Sequence, residues 1–170
     1  MKIAGIIIIG IGIAGVLHDW IHRYQNRQKR LEEIIFFLRK AVYAMEENKV
    51  HWIIYFEEYK ANDKCLEEGI HNVSQKLKEN RYPRGEQAWQ ESMCERKADL
   101  DLSKEAFETL LSCGKAFFGK SQKENVELMR MYIQLFTDCS KKEKQEFAEK
   151  KKLWIPLSAL GGMMIVIILI

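Results

Sequence analysis

The stretch "HDWIH", His18 to His22, sets two histidines four residues apart with an acid beside the first. On a helix that spacing brings both imidazoles to one face, as in the H-E-x-x-H zinc helix of metalloproteases. Three features weigh against zinc chemistry. The acid is Asp19, one methylene shorter than glutamate, and no third ligand stands near in sequence. The motif also closes an apolar run, where Trp20 and its neighbours suit a membrane interface.

Other stretches that could hold a ligand fail on context. "GIGIAG", Gly10 to Gly15, has the letters of a dinucleotide fingerprint but lies inside an apolar run with no βαβ unit after it. Close packing of helices through small residues is the expectation there, and also for Gly161 and Gly162. "GKAFFGKS", Gly114 to Ser121, has the wrong spacing for a phosphate cradle, and no nucleophile elbow occurs. Cys65, Cys94, Cys113 and Cys139 form no C-x-x-C pair and have no histidine at ligand spacing, which predicts free, buried thiols in a reducing compartment. The expectation is a protein with no catalytic residues, no cofactor and no metal.

What must these residues be carried on? The chain has 170 residues, 47% hydrophobic and 30% charged, and the two classes are segregated. Ile3 to Leu17 holds only Ile, Ala, Gly, Val and Leu, and Leu153 to Ile170 holds no ionisable side chain. A spanning helix takes roughly 17–25 apolar residues, so Ile3–Trp20 and Leu153–Ile170 fall at the short end of that range. The first run also resembles the hydrophobic stretch of a secretory signal peptide. The basic residues that follow, Arg23, Arg27, Lys29 and Arg30, oppose export of the next segment and favour an uncleaved anchor. Lys150, Lys151 and Lys152 flank the second run, so the positive-inside rule puts the middle of the chain in the cytoplasm and both termini across the membrane. Lys and Arg number 27 against 24 Asp and Glu, a near balance that speaks against nucleic acid as a partner. Beside a bilayer each such lysine gains about 1 kcal/mol from anionic lipid.

Between the runs the hydrophobic period is helical. Leu31, Ile34, Ile35, Leu38, Val42 and Met45 form one stripe of a helix over Gln25 to Lys49, continuous with the first run. The cluster from Val50 to Tyr59 and the stripe Cys65, Leu66, Ile70, Val73 and Leu77 predict two more helices, ended by the loop "ENRYPRGE". Ala88, Trp89 and Met93 mark a fourth, and Ser103 N-caps a fifth through Leu110, closed by Gly119. "SQKE" at Ser121 has capping-box spacing and opens a last long helix, in which "SKKE" at Ser140 suggests a bend. The fold class expected is all-α, a five- to six-helix cytoplasmic bundle over residues 21–152 between transmembrane anchors at 1–20 and 153–170.

Two stretches, "GEQAWQES" (Gly85 to Ser92) and "LLSCGKAFFGKSQKENVELMRMYIQLF" (Leu110 to Phe136), resemble the stage III sporulation protein AB family of endospore-forming bacteria. In that family a charged helix follows a first span, an Ala-Trp motif sits mid-chain, a Gly-Lys stretch with a later Gly precedes a long helix, and Gly-Gly marks a second span. Ala88 and Trp89, then Gly114, Lys115 and Gly119, then Gly161 and Gly162 stand in those places. After the first helix, however, this chain has "NKVHWIIYFEEY", with His51 but without the family's proline.

The resemblance implies a helical domain similar to the cytoplasmic domain of the type II secretion and type IV pilus platform protein. It implies a place in the outer forespore membrane, facing the mother-cell cytoplasm. There the chain would couple a cytosolic secretion-type ATPase, stage III sporulation protein AA, to membrane subunits of the same channel. A membrane-anchored adaptor or sensor for another cytosolic protein is the alternative. Neither nucleic acid nor a small-molecule substrate is expected.

Overall fold

The computed structural model describes residues 2–47, 51–79, 82–119 and 121–169, the side chains of 2–10 and of much of 155–169 excepted. Eight helical segments occur among the described residues and no strand: α1 (Lys2–Glu46), α2 (Trp52–Glu58), α3 (Lys64–Lys78), α4 (Gly85–Glu95), α5 (Lys97–Leu100), α6 (Lys104–Ser112), α7 (Gly114–Phe117) and α8 (Gln122–Leu169). α5 and α7 are single turns, which leaves six longer helices, in line with the five or six expected.

The chain divides into two compact units, Arg27–Ser140 and a second made of Met1–Asn26 with Lys141–Ile170. In the second unit the rings of Tyr24 and Phe147 stack at 3.6 Å, and Trp20 lies 4.7 Å from Phe147. The expected spans belong here, and many of their side chains lie outside the described residues. Among the described residues no helix is long and apolar enough to cross a membrane.

The first unit is a bundle built on the second half of α1. All six residues of its expected stripe are buried, as is Phe37 on the adjoining flank. A helix flanked by one neighbour shows one apolar stripe, whereas α1 is covered on two sides and buries a wider arc. Phe37 touches Tyr55, Phe56, Tyr59, Trp89 and Phe117, with ring centroids 4.7 to 6.3 Å apart. α3 packs between α2 and α4, and α4 packs on α6 and α7.

Local start signals explain the boundaries. Asp63 N-caps α3, its carboxylate accepting from the Leu66 amide at 3.0 Å. Ser121 accepts from the Glu124 amide at 3.5 Å, half of a capping box. Ser103 stands at the N-cap position of α6, as expected, without a side-chain capping bond. The Ser140 hydroxyl donates to Gln28 Oε1 at 2.9 Å, and α8 runs through this point as one helix. Lys49 and Val50, expected in the first two helices, lie outside the described residues; α1 ends at Glu46 and α2 begins at Trp52.

Candidate functional site

The helical period of α4 turns Ala88, Trp89 and Met93 inward, and all three are fully buried. Trp89 carries one polar atom into the core, and its Nε1–H donates to the Leu110 carbonyl at 2.8 Å, near the end of α6. Its ring lies 4.9 Å from Phe117 and stacks toward Phe37 at 6.2 Å. Gly114 stands against that ring, because a Cβ there would lie 3.0 Å from Trp89 Cδ1 and 3.3 Å from Glu86 Cγ. A Cβ on Gly85 would overlap the Phe118 ring, and one on Gly119 would overlap Asn125 and come within 3.0 Å of the Lys115 carbonyl. Close approach, not a positive φ, is what these glycines supply. Lys115 itself points to solvent. The two stretches therefore meet where Gly114 stands against the Trp89 ring, while Ala88 is buried beside Trp89 in sequence.

A second constellation lies along α1. Arg27 Nε donates to the Asp101 carbonyl at 2.8 Å and its guanidinium pairs with the Asp101 carboxylate at 3.3 Å. Asp101 adopts a left-handed conformation, φ 42°, which aspartate tolerates better than most residues. Arg30 pairs with Asp63 at 2.7 Å and donates to the Leu100 carbonyl. Glu33 accepts from the Asp63 amide at 3.0 Å and from the Asn62 amide. Three side chains of α1, each three residues on from the last, thus fasten the start of α3 and the end of α5. Of the basic residues expected at the membrane edge, Arg27 and Arg30 are engaged in this latch, while Arg23, Lys29, Lys150, Lys151 and Lys152 are exposed.

Sequence reasoning missed the latch because a charged residue at helical spacing reads as a solvated face. The Asn62-Asp63 pair before an apolar period was a usable N-cap signal, and Glu33 gave none.

The remaining candidates bring no chemistry together. The rings of His18 and His22 lie 4.6 Å apart, and no group of three metal-ligating side chains occurs among the described residues. A Cβ on Gly12, Gly15 or Gly161 meets nothing within 4 Å among the described residues, and the Gly162 position lies outside them, as do most side chains of both apolar runs. None of the four cysteines forms a disulfide, but only Cys113 and Cys139 are buried; Cys65 is half-buried and Cys94 exposed, because α4 turns Cys94 away from Met93. Burial pushes the Cys113 thiol well above its usual range, so it is no nucleophile. Burial likewise raises the Tyr55 and Tyr59 phenols; the neighbouring Tyr59 phenol adds to the effect on Tyr55, and the Glu33 and Glu67 carboxylates add to that on Tyr59. A shallow groove of about 550 Å³, lined by Glu46, Gln122, Val126 and Arg130, mixes both signs of charge, and Arg130 is paired with Glu46.

Of the motif residues, Ala88, Trp89 and Gly114 lie inside the core, while Lys115 and Gly119 are exposed. A family model described as Stage III sporulation protein AB matches residues 2–170. A solved structure titled "Stage III sporulation protein AB (SpoIIIAB)" shares the fold with a TM-score of 0.65 at 12% identity, covering 72% of this chain and 97% of that one. A comparison with curated proteins finds no match. With a family match over almost its whole length, the chain belongs to the stage III sporulation protein AB family, and its role is in sporulation.

Proposed function

We propose that this chain is a non-enzymatic platform subunit of the channel between mother cell and forespore, anchored at both ends in the outer forespore membrane. Its bundle faces the mother-cell cytoplasm and couples a cytosolic ATPase to the membrane subunits of the channel. The observation that carries this reading is continuity: the two longest helices, α1 and α8, bear the apolar runs and also form part of the bundle core. A load applied to the bundle reaches both runs through unbroken helices. The family membership supports the sporulation setting.

The test is a strain lacking the gene, complemented with the chain or with variants carrying Ile11→Arg or Leu160→Arg. A charge at mid-bilayer costs about 2.5–3.5 kcal/mol of insertion. The reading expects engulfed forespores to arrest, the native chain to restore spores and sediment with membranes, and the Arg variants to do neither. Normal sporulation of the deletion strain refutes it, as does full complementation by a variant found in the soluble fraction.

A further inference from the structure

Two faces of the bundle carry large apolar side chains in water. On α1, Phe36 and Tyr43 are 54% and 64% exposed, and on α8 Met131 and Leu135 are 48% and 42% exposed. Both pairs have the spacing that keeps side chains on one side of a helix. The balance of charge around them differs. Lys29, Arg39 and Lys40 are exposed near the α1 pair, with Lys40 over the Phe36 ring at 4.5 Å, and outnumber the exposed acids Glu32 and Glu47 beside it. Glu127 and Asp138 are exposed near the α8 pair, Asp138 accepting from Gln134 at 3.1 Å.

The heights match as well. Gln28 meets Ser140, and the Gln122 amide donates to the Met45 carbonyl, so α1 from 28 to 45 runs antiparallel beside α8 from 140 to 122. At equal rise per residue, Lys29 is level with Asp138, Phe36 with Met131 and Lys40 with Glu127. A second copy standing beside the first in the same orientation offers its acidic α8 face to the basic α1 face, apolar pair against apolar pair.

We infer that the exposed α1 face of one copy docks on the exposed α8 face of the next, giving a head-to-tail assembly of this chain. Such an interface is heterologous, so it repeats until rotation closes it into a ring. Pairing the α1 face with itself in parallel sets Lys40 against Lys40. Inverting one α1 turns that copy's apolar run the opposite way, which the anchoring proposed above forbids. One helix laid on another is a small interface, so association in solution is weak and depends on concentration.

Sedimentation velocity of the full chain in detergent micelles over a range of concentrations tests this. Wild type is expected to associate, and Lys40→Glu or Glu127→Lys alone to weaken association about tenfold or more. An equal mixture of the two variants restores it, because each reversed face then meets its complement. Phe36→Ser weakens association too, and its mixture with Glu127→Lys regains only the single interface that joins two unaltered faces, a dimer with no longer assembly. Wild type that stays monomeric overturns the inference, and so does association indifferent to both charge reversals. A mixture no better than its components also overturns it. Spore formation by the deletion strain does not bear on this result, so the two readings fail separately.

Discussion

The Trp89 indole donates to the Leu110 carbonyl at 2.8 Å, and the same carbonyl accepts from the Cys113 amide at 3.2 Å. One acceptor therefore joins α4 to the end of α6. Trp89→Ala removes the largest fully buried side chain, and a loss of about 3–5 kcal/mol is expected in urea unfolding followed by circular dichroism. Trp89→Phe keeps part of the packing but loses the hydrogen bond, and should cost less than Trp89→Ala. Equal losses would mean that the bond, not the ring volume, dominates.

Gly114 and Gly69 respond to alanine in opposite directions. At Gly114 the added methyl presses on the Trp89 ring at 3.0 Å, and a destabilisation of about 1–3 kcal/mol follows. At Gly69, inside α3, the nearest atom is Met93 at 3.6 Å, an ordinary contact. Gly69→Ala should stabilise by up to about 1 kcal/mol through helix propensity. Melting temperatures of the two variants check the sign.

The latch needs the fork of arginine. Arg30 reaches Asp63 through Nε and the Leu100 carbonyl through its other arm, and both side chains of the pair are largely shielded, at 12% and 19% exposed. Lysine cannot serve both partners, so Arg30→Lys should lose about 1–2 kcal/mol. Unfolding titrations with and without 1 M salt discriminate. A loss that vanishes in salt would show a purely Coulombic pair.

Tyr59 keeps its hydroxyl buried with no hydrogen-bond partner among the described residues. Tyr59→Phe should leave stability at neutral pH unchanged or slightly higher. At alkaline pH the linkage has a definite sign. The folded-state phenols of Tyr55 and Tyr59 ionise above the unfolded value near 10, so stability is full below about pH 10 and falls as pH rises beyond it. Each tyrosine contributes about 1.4 kcal/mol per pH unit to that fall, and Tyr59→Phe removes one share. A pH titration of the unfolding midpoint from 8 to 12 reads the difference.

Thiol labelling separates the cysteines by burial. Cys94 should react with a disulfide reagent in the native chain, Cys65 more slowly, and Cys113 and Cys139 only after unfolding. Fast labelling of all four would show that the bundle opens locally.

The sequence by itself determined the helical class, the order of the helices and the identity of the inward stripe. These depend on local periodicity, on caps such as Ser121, and on breakers in the loop before α4. The Ala88–Trp89 and Gly114 motifs were legible too, because an aromatic on an apolar stripe and a glycine between helices are local features. Only the tertiary structure decided what those features were for. It set Gly114 against Trp89, turned Arg27 and Arg30 from a charged flank into a latch on Asp101 and Asp63, and exposed Cys94 while burying Cys113. The reason is physical: periodicity fixes which residues share a face, but the partner opposite that face comes from tens of residues away in the chain, through loop closures and packing that local spacing does not encode.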